Sequence, residues 1–315
     1  LANRPDELAF LLVDYKGGAA FRECADLPHT VGLVTDLDEH LTGRALQSLS
    51  AELRRREQVL KQASSPDLAH YQRTATADRP PVPRLVLVVD EFATLAQELP
   101  DFVHGLVGVA QRGRSLGLHL VLATQRPAGV VSADIRANTA LRIALRVTDP
   151  GESMDVVEVP DAAALDPATP GRAIVRTGTR TAQVQVARVT CARVGAHGPR
   201  VRPLGTPAPP RAEPDRDTDR DTDLAALVRA TRHAADRLGI TPVPSPWLPP
   251  LPDLLPLAAM GDPGRTGLLG LADEPLAQRQ RPLTLDPADD EHLLVVGGPR
   301  SGRTTLLRTL VATLA

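Results

Sequence analysis

The chain predicts an α/β fold: a mostly parallel sheet flanked by helices, then a β-hairpin, then the start of a second unit of the same kind. Three observations carry this. Four apolar runs lack the period-two alternation of a half-exposed strand, as strands covered on both faces should. They are LAFLLVD (8–14), RLVLVVDE (84–91), LHLVLATQ (118–125) and ALRIALRV (140–147). Helical segments lie between them. Residues 38–62 carry an apolar stripe through Leu41, Leu46, Leu49, Leu53 and Leu60, with an acidic start and a basic end that suit the helix dipole. Residues 101–117 form a second helix that stops near Gly117. Strands alternating with helices imply an open sheet with right-handed crossovers. The third observation is residues 171–189, two β-type runs around TGTRT, which predict the hairpin.

The expected organisation has three parts. Residues 1–194 hold the C-terminal part of a first unit. Residues 195–223, rich in Pro and then in alternating Asp and Arg, have too little apolar surface to fold and predict a solvated linker. Residues 224–315 hold the N-terminal part of a second unit. In it an amphipathic helix (224–238) precedes a proline-rich strap containing Trp247, expected to pack on its own domain. The runs RPLTLDP and HLLVVGG read as strands leading into a glycine-rich loop.

Composition excludes several classes. With 42% hydrophobic and 23% charged residues, the chain has the balance of a soluble globular protein. A net charge of −2 argues against a generally basic nucleic-acid binder. Cys24 and Cys191 lie far apart and form no metal spacing. No apolar run reaches membrane-helix length and there is no signal peptide. The chain begins at Leu1 rather than Met and reads as a piece of something longer.

The loop near the end carries chemistry. Gly297-Gly298-Pro299-Arg300-Ser301-Gly302-Arg303-Thr304 fits the phosphate-loop pattern G-x-x-x-x-G-K-[ST], except that Arg303 replaces lysine. Glycines let successive backbone N–H groups turn onto phosphate oxygens, and the following helix N-terminus adds partial positive charge. Thr304 offers a hydroxyl to Mg²⁺. A glycine turn between strand and helix can be purely structural; the apolar run before it and the pair Thr304-Thr305 favour a nucleotide. Guanidinium is wide and planar where ammonium is a compact charge, so nucleotide binding is expected to survive Arg303 better than catalysis.

The first unit carries the complementary half. RLVLVVDE ends in Asp90 and Glu91, at the strand end where open α/β sheets bind ligands. In a phosphoryl-transfer site Asp90 would hold the Mg²⁺ shell, and Glu91 would orient and deprotonate the attacking water. The competing reading is that Asp90 caps the next helix. Gln125, after the neighbouring strand, is placed to sense the γ-phosphate; its competing role is a hydrogen bond at the sheet edge. The glycine loop of this unit is expected upstream of Leu1. Arg142 and Arg146, four apart on one strand and so on one face, are candidates for an arginine finger reaching a neighbour's nucleotide, ahead of Arg112 and Arg114.

These motifs carry a resemblance. LVLVVDEFATL, AQRGRSLGLHLVLATQRPAGVVSADIRANTALRIALRVTDPGESMDVV and PGRAIVRTG occur in the order seen in FtsK/SpoIIIE-family motor ATPases, across most of residues 8–190. LLVDYKGGAAF, and WLPPLPDLLPL followed by GLLGLADEPLAQRQRPLTLD, resemble the EccC-type branch of type VII secretion, where ATPase modules stand in tandem. The resemblance implies a RecA-like P-loop NTPase fold. It implies ATP and Mg²⁺ as ligands, with Asp90 and Glu91 in metal and base roles, Gln125 as sensor, and Gly297 to Thr304 as the second module's loop. It implies ATP hydrolysis in a longer parent, since this chain holds no complete site. It also implies a ring of copies, a hexamer, at the cytoplasmic face of the cell membrane. Upstream transmembrane helices would anchor it there, with a secretion complex and exported helical-hairpin proteins as partners. A DNA translocase, with DNA as cargo, and a nucleotide-binding assembly scaffold with little hydrolysis are the two alternatives. The DYKGG segment, the tandem modules and the lack of a basic bias favour protein cargo; Asp90 and Glu91 oppose the scaffold for the first unit.

Overall fold

The apolar run at Leu8–Asp14 becomes a central strand because it has neighbours on both sides. The computed structural model of the chain describes residues 3–14, 20–35, 39–76, 79–127, 133–189, 222–261, 266–288 and 292–315. In chain order the elements are β1 (Leu8–Asp14), β2 (Thr30–Val34), α1 (Glu39–Gln62), α2 (Leu68–Arg73), β3 (Arg84–Asp90), α3 (Phe92–Glu98), α4 (Pro100–Gly113) and β4 (Leu118–Leu122). Then follow α5 (Ala133–Asn138), β5 (Leu141–Leu145), α6 (Pro150–Val157), β6 (Arg172–Thr177), β7 (Arg180–Gln185), α7 (Asp223–Arg237), β8 (Gly267–Glu274), β9 (Arg279–Leu285) and α8 (Arg303–Leu314). They gather into two compact units: residues 1–37 with 60–244, and residues 38–59 with 245–315.

In the first unit a parallel sheet runs in the order β2-β1-β3-β4. Its core is Leu11, Val13, Leu85, Leu87 and Val89, all at most 2% exposed. The β1/β3 register is unbroken from Leu8↔Arg84 to Asp14↔Asp90, so both strands end level at the carboxyl edge. β2 was not foreseen in the sequence: TVGLV is short, has a glycine at its centre, and is half-buried throughout. α4 ends at Gly113, and the turn after it closes at Gly117 with φ +75°. A Cβ on Gly117 would lie 2.0 Å from Leu68 Cδ2, so both backbone and space demand glycine there.

The run at 140–147 departs from expectation. β5 is not a buried parallel strand; it pairs antiparallel with β6, and β6 with β7, in a separate three-stranded sheet. Only one of its faces is covered. Ala144 and Ile174 pack with Val157, Ala162 and Leu165 into a small core, while Leu141, Ile143 and Leu145 are each about half exposed. An unbroken apolar run does not reveal which strand will lie beside it, and here the hairpin next in the chain supplies the partner. That hairpin forms as predicted, turning at Gly178 with φ +60°. α6 begins where Asp149 accepts a hydrogen bond from Gly151 N at 2.6 Å, with Pro150 in the first turn. The linker predicted at 195–223 lies almost wholly outside the described residues. α7 starts on Thr222, whose hydroxyl accepts from Ala225 N at 3.0 Å.

In the second unit β8 and β9 form an antiparallel hairpin. Leu268 N donates to Thr313 Oγ1 of α8 at 2.8 Å. Trp247 of the proline-rich strap is 8% exposed and donates Nε1–H to Ala45 O of α1 at 3.1 Å. Arg44 reaches the same strap, donating to Leu248 O and Pro249 O while ion-pairing with Asp273. HLLVVGG is not a strand. Residues 292–298 have no regular structure, with Leu294 85% and Val296 83% exposed. A strand exists through its ladder, and no described segment runs alongside these residues to complete one.

Candidate functional site

The site of the first unit grows from the level ends of β1 and β3. After Asp90 the chain turns through Glu91 at φ 54°, ψ 38°, a left-handed conformation for a residue with a side chain, and enters α3. Such a residue costs roughly 1–2 kcal/mol and persists only where its surroundings hold it. Here the backbone holds it: Ala123 N donates to Val89 O and Phe92 N to Ala123 O, both at 2.9 Å. This ladder continues past β4 and sets Gln125 beside the turn. Gln125 Nε2 donates to Glu91 Oε1 at 2.5 Å. Glu91 is buried, at 7% exposure.

The contacts of Asp90 and Gln125 bear on both competing readings. Asp90 Oδ1 accepts from Glu91 N at 2.9 Å, and the cap position of α3 is Glu91 itself, which makes no side-chain cap bond. Gln125 bonds the Glu91 carboxylate rather than closing a sheet edge. Sequence reasoning missed Asp14. It ends β1 in register with Asp90, is 3% exposed, and its Oδ2 accepts from Ala20 N at 3.0 Å. The signal was available, since an acid ends both apolar runs. Asp14, Asp90, Glu91 and Gln125 therefore all stand at the carboxyl edge of the sheet.

The glycine loop belongs to the second unit. Arg300 (φ 60°) and Gly302 (φ 90°) are both left-handed, and α8 starts directly after Gly302. Ser301 N donates to Gly298 O and Leu306 N to Gly302 O. A Cβ on Gly297 would stand 2.3 Å from Ser301 Oγ, so a larger residue there would have to move the Ser301 side chain. Arg303 and Thr304 occupy the first helical turn with exposed side chains. Their backbone N–H groups are among the first-turn donors that a helix leaves without an internal partner. Loop, free donors and threonine hydroxyl fit a phosphate chain with its Mg²⁺; magnesium enters such sites with the nucleotide, keeping few protein ligands. Among the described residues no group of three His, Cys, Asp or Glu side chains could hold a metal alone.

The two finger candidates part company. Arg142 lies in β5, directly across from Arg176 of β6. Glu158, just after α6, takes both: Oε1 lies 2.8 Å from Arg142 Nη1 and Oε2 lies 2.6 Å from Arg176 Nη2. The Arg142 guanidinium against it, with the charges of Arg176 and Arg136, holds the Glu158 carboxyl below the usual carboxylate range. Arg146 lies one residue beyond β5 and is exposed.

Residues 1–129 match the model of the FtsK/SpoIIIE family. These residues form an FtsK/SpoIIIE-family domain. The chain is 33% identical over 342 aligned residues to the type VII secretion system protein EssC of Staphylococcus aureus (strain NCTC 8325 / PS 47), covering 99% of this chain and 23% of that protein. It is 32% identical to the ESX secretion system protein EccC of Geobacillus thermodenitrificans, covering 22% of that protein. The chain thus spans about a quarter of the length of these relatives. Among solved structures, the cytoplasmic domain of the Thermomonospora curvata type VII secretion ATPase EccC superposes with a TM-score of 0.76 at 31% identity, over 99% of this chain and 36% of that one. A structure of ATPases 2 and 3 of the same EccC, in complex with a signal sequence peptide, superposes with a TM-score of 0.64 at 27% identity, over 98% of this chain and 50% of that one. The matched residues have the fold of P-loop ATPase domains, a parallel α/β sheet flanked by helices.

Proposed function

We propose that this chain is a motor-ATPase segment of a type VII-like secretion system, in which ATP binding and hydrolysis drive translocation of protein substrates. The observation that carries the reading is the buried Glu91 carboxylate held by Gln125 at the carboxyl edge of the sheet. A carboxylate so fixed can take a proton from a water as the water's oxygen attacks the γ-phosphorus and the bond to ADP breaks. Gln125, bonded to the base, would register the presence of the γ-phosphate. Asp90 would hold the Mg²⁺ shell, whose ion neutralises charge on the phosphates when bound. In the second unit Gly297 to Thr304 would cradle a nucleotide, with Arg303 favouring binding over turnover. Arg142 and Arg146 would serve neighbouring copies in a ring, read as a hexamer.

The partners in this reading are other copies of the ATPase, a secretion complex and exported helical-hairpin proteins. Likeness to an EccC structure that holds a signal sequence peptide supports protein as the cargo. Anchoring at the cytoplasmic face of a membrane would rest on other segments; no described helix is long and apolar enough to cross one. The test is Glu91→Gln in the full-length protein. ATP binding should persist while turnover falls by roughly 10²–10⁴-fold. Turnover at the wild-type rate would remove Glu91 as the base and the reading with it.

A further inference from the structure

Gln125 reaches Glu91 from an awkward place. β4 ends at Leu122, so Gln125 lies beyond the strand, in a bend, and it is exposed. A glutamine in such a segment gives up backbone and rotamer freedom to make one hydrogen bond. Its 2.5 Å bond to Glu91 Oε1 therefore needs a fixed backbone beneath it. Before it, Ala123 N donates to Val89 O and Ala123 O accepts from Phe92 N, both at 2.9 Å. After it, Pro127 is buried. A proline ring locks its own φ and keeps the preceding residue, here Arg126, out of the helical region.

Neither the ladder nor the proline spans Gln125. The Thr124 hydroxyl does. Thr124 Oγ1 accepts from Arg126 N at 3.1 Å, and the same hydroxyl donates to Arg126 O at 3.4 Å. A threonine that bonds the backbone two residues on closes a turn around the residue between them, and here that residue is Gln125. Threonine suits the task because its branched Cβ restricts χ1, so the backbone of residue 124 dictates where the hydroxyl stands. Valine would keep the branch and lose the bond.

We infer that Thr124 is a positioning residue: its hydroxyl closes the turn that aims Gln125 at Glu91, and it serves turnover through Gln125 rather than by a contact of its own. The consequence for turnover rests on the ATPase reading above; the aiming of Gln125 does not. Two neighbouring polar residues thereby divide the work, one touching the base and the other holding the first in place.

Two readouts test this. In the whole chain carrying isotopically labelled glutamine, the side-chain amide resonances of Gln125 are identified by their loss in Gln125→Ala. Thr124→Val should move them to the positions of a solvent-exposed glutamine, and Thr124→Ser should return them to the wild-type positions. In the full-length protein Thr124→Val should lower kcat for ATP about 2- to 10-fold with KM unchanged, and Thr124→Ser should restore it. In a Gln125→Ala background Thr124→Val should cost nothing further, because both changes remove the same contact. Unmoved amide resonances, an unchanged kcat, or a loss that adds fully to that of Gln125→Ala overturns the inference. Should Thr124→Val fail to fold, Thr124→Ala takes its place with the same expectations. The amide resonances judge the aiming of Gln125 whatever Glu91→Gln does to turnover, so either reading can fall while the other stands.

Discussion

Glu52 is the residue whose removal the second unit should tolerate least. Its carboxylate accepts Nε and Nη2 of Arg55 at 2.7 Å, Nε of Arg56 at 2.8 Å and Nε2 of Gln278 at 3.2 Å. Arg55 is 41% exposed, and its share is worth at most about 1 kcal/mol. Arg56 is different: its side chain is 2% exposed, so Glu52→Ala strips the counter-charge from a buried guanidinium. Breaking a buried pair from one side costs about 3–5 kcal/mol. The assay is urea unfolding followed by the fluorescence of Trp247, the sole tryptophan, which is buried in the same unit. The midpoint should fall by the equivalent of about 3–5 kcal/mol, and replacing both partners together, Glu52→Leu with Arg56→Met, should recover most of it. A loss below about 1 kcal/mol for Glu52→Ala would refute the reasoning, because the buried charge would then be satisfied without its carboxylate. The same residue sets an acid response. Burial pushes the Glu52 carboxyl up, but the Arg55 hydrogen bond and the charges of Arg56 and Arg55 outweigh it and hold it below its ordinary value. Its stabilisation is then full above the unfolded value of about 4.3 and is lost as pH falls through the lower folded value. Glu52→Gln should flatten the Trp247 unfolding midpoint below about pH 4.

Gln125→Ala frees Glu91 from a hydrogen bond to a charged acceptor worth about 1.5–3 kcal/mol, so ATP turnover in the full-length protein should fall about 10- to 100-fold. An unchanged rate would show that the contact plays no part in turnover. Arg303→Lys should tighten nucleotide binding to the second unit, read with a fluorescent nucleotide; weaker binding would mean that the loop is built around guanidinium. Gly117→Ala meets both a left-handed backbone and Leu68, and should lower thermal stability by about 2 kcal/mol or more, some 4–8 °C. A melting point within about 1 °C of wild type would mean that the turn relaxes freely.

Much of the fold was legible because local signals and global packing agree at β1, β3 and the hairpin of β6 and β7. The placement of Asp90, Glu91 and Gln125 at the carboxyl edge of the sheet was legible as well, since an acid pair ends an apolar run and an amide follows the next one. What escaped depends on neighbours. β5 and residues 292–298 are equally apolar in sequence, yet one pairs with the hairpin and the other with nothing among the described residues. Asp14 acquires meaning only through its register with Asp90. Arg142 and Glu158 lie sixteen positions apart, and no spacing rule announces that α6 carries the acid back onto β5.

Among the described residues, the unpaired edges of β4 and β5 have a practical consequence. An unpaired row of backbone donors and acceptors is a template for any extended segment, and among the described residues the exposed run at 292–298, which joins no sheet, is such a segment. The expected behaviour in concentrated solution is pairing between copies, the run of one molecule lying along the edge of the next. Such a contact is head-to-tail, so it builds rings where the rotation closes and open filaments where it does not. Handling the chain with its sheet edges already occupied would suppress that growth, and light scattering that rises with concentration would reveal it.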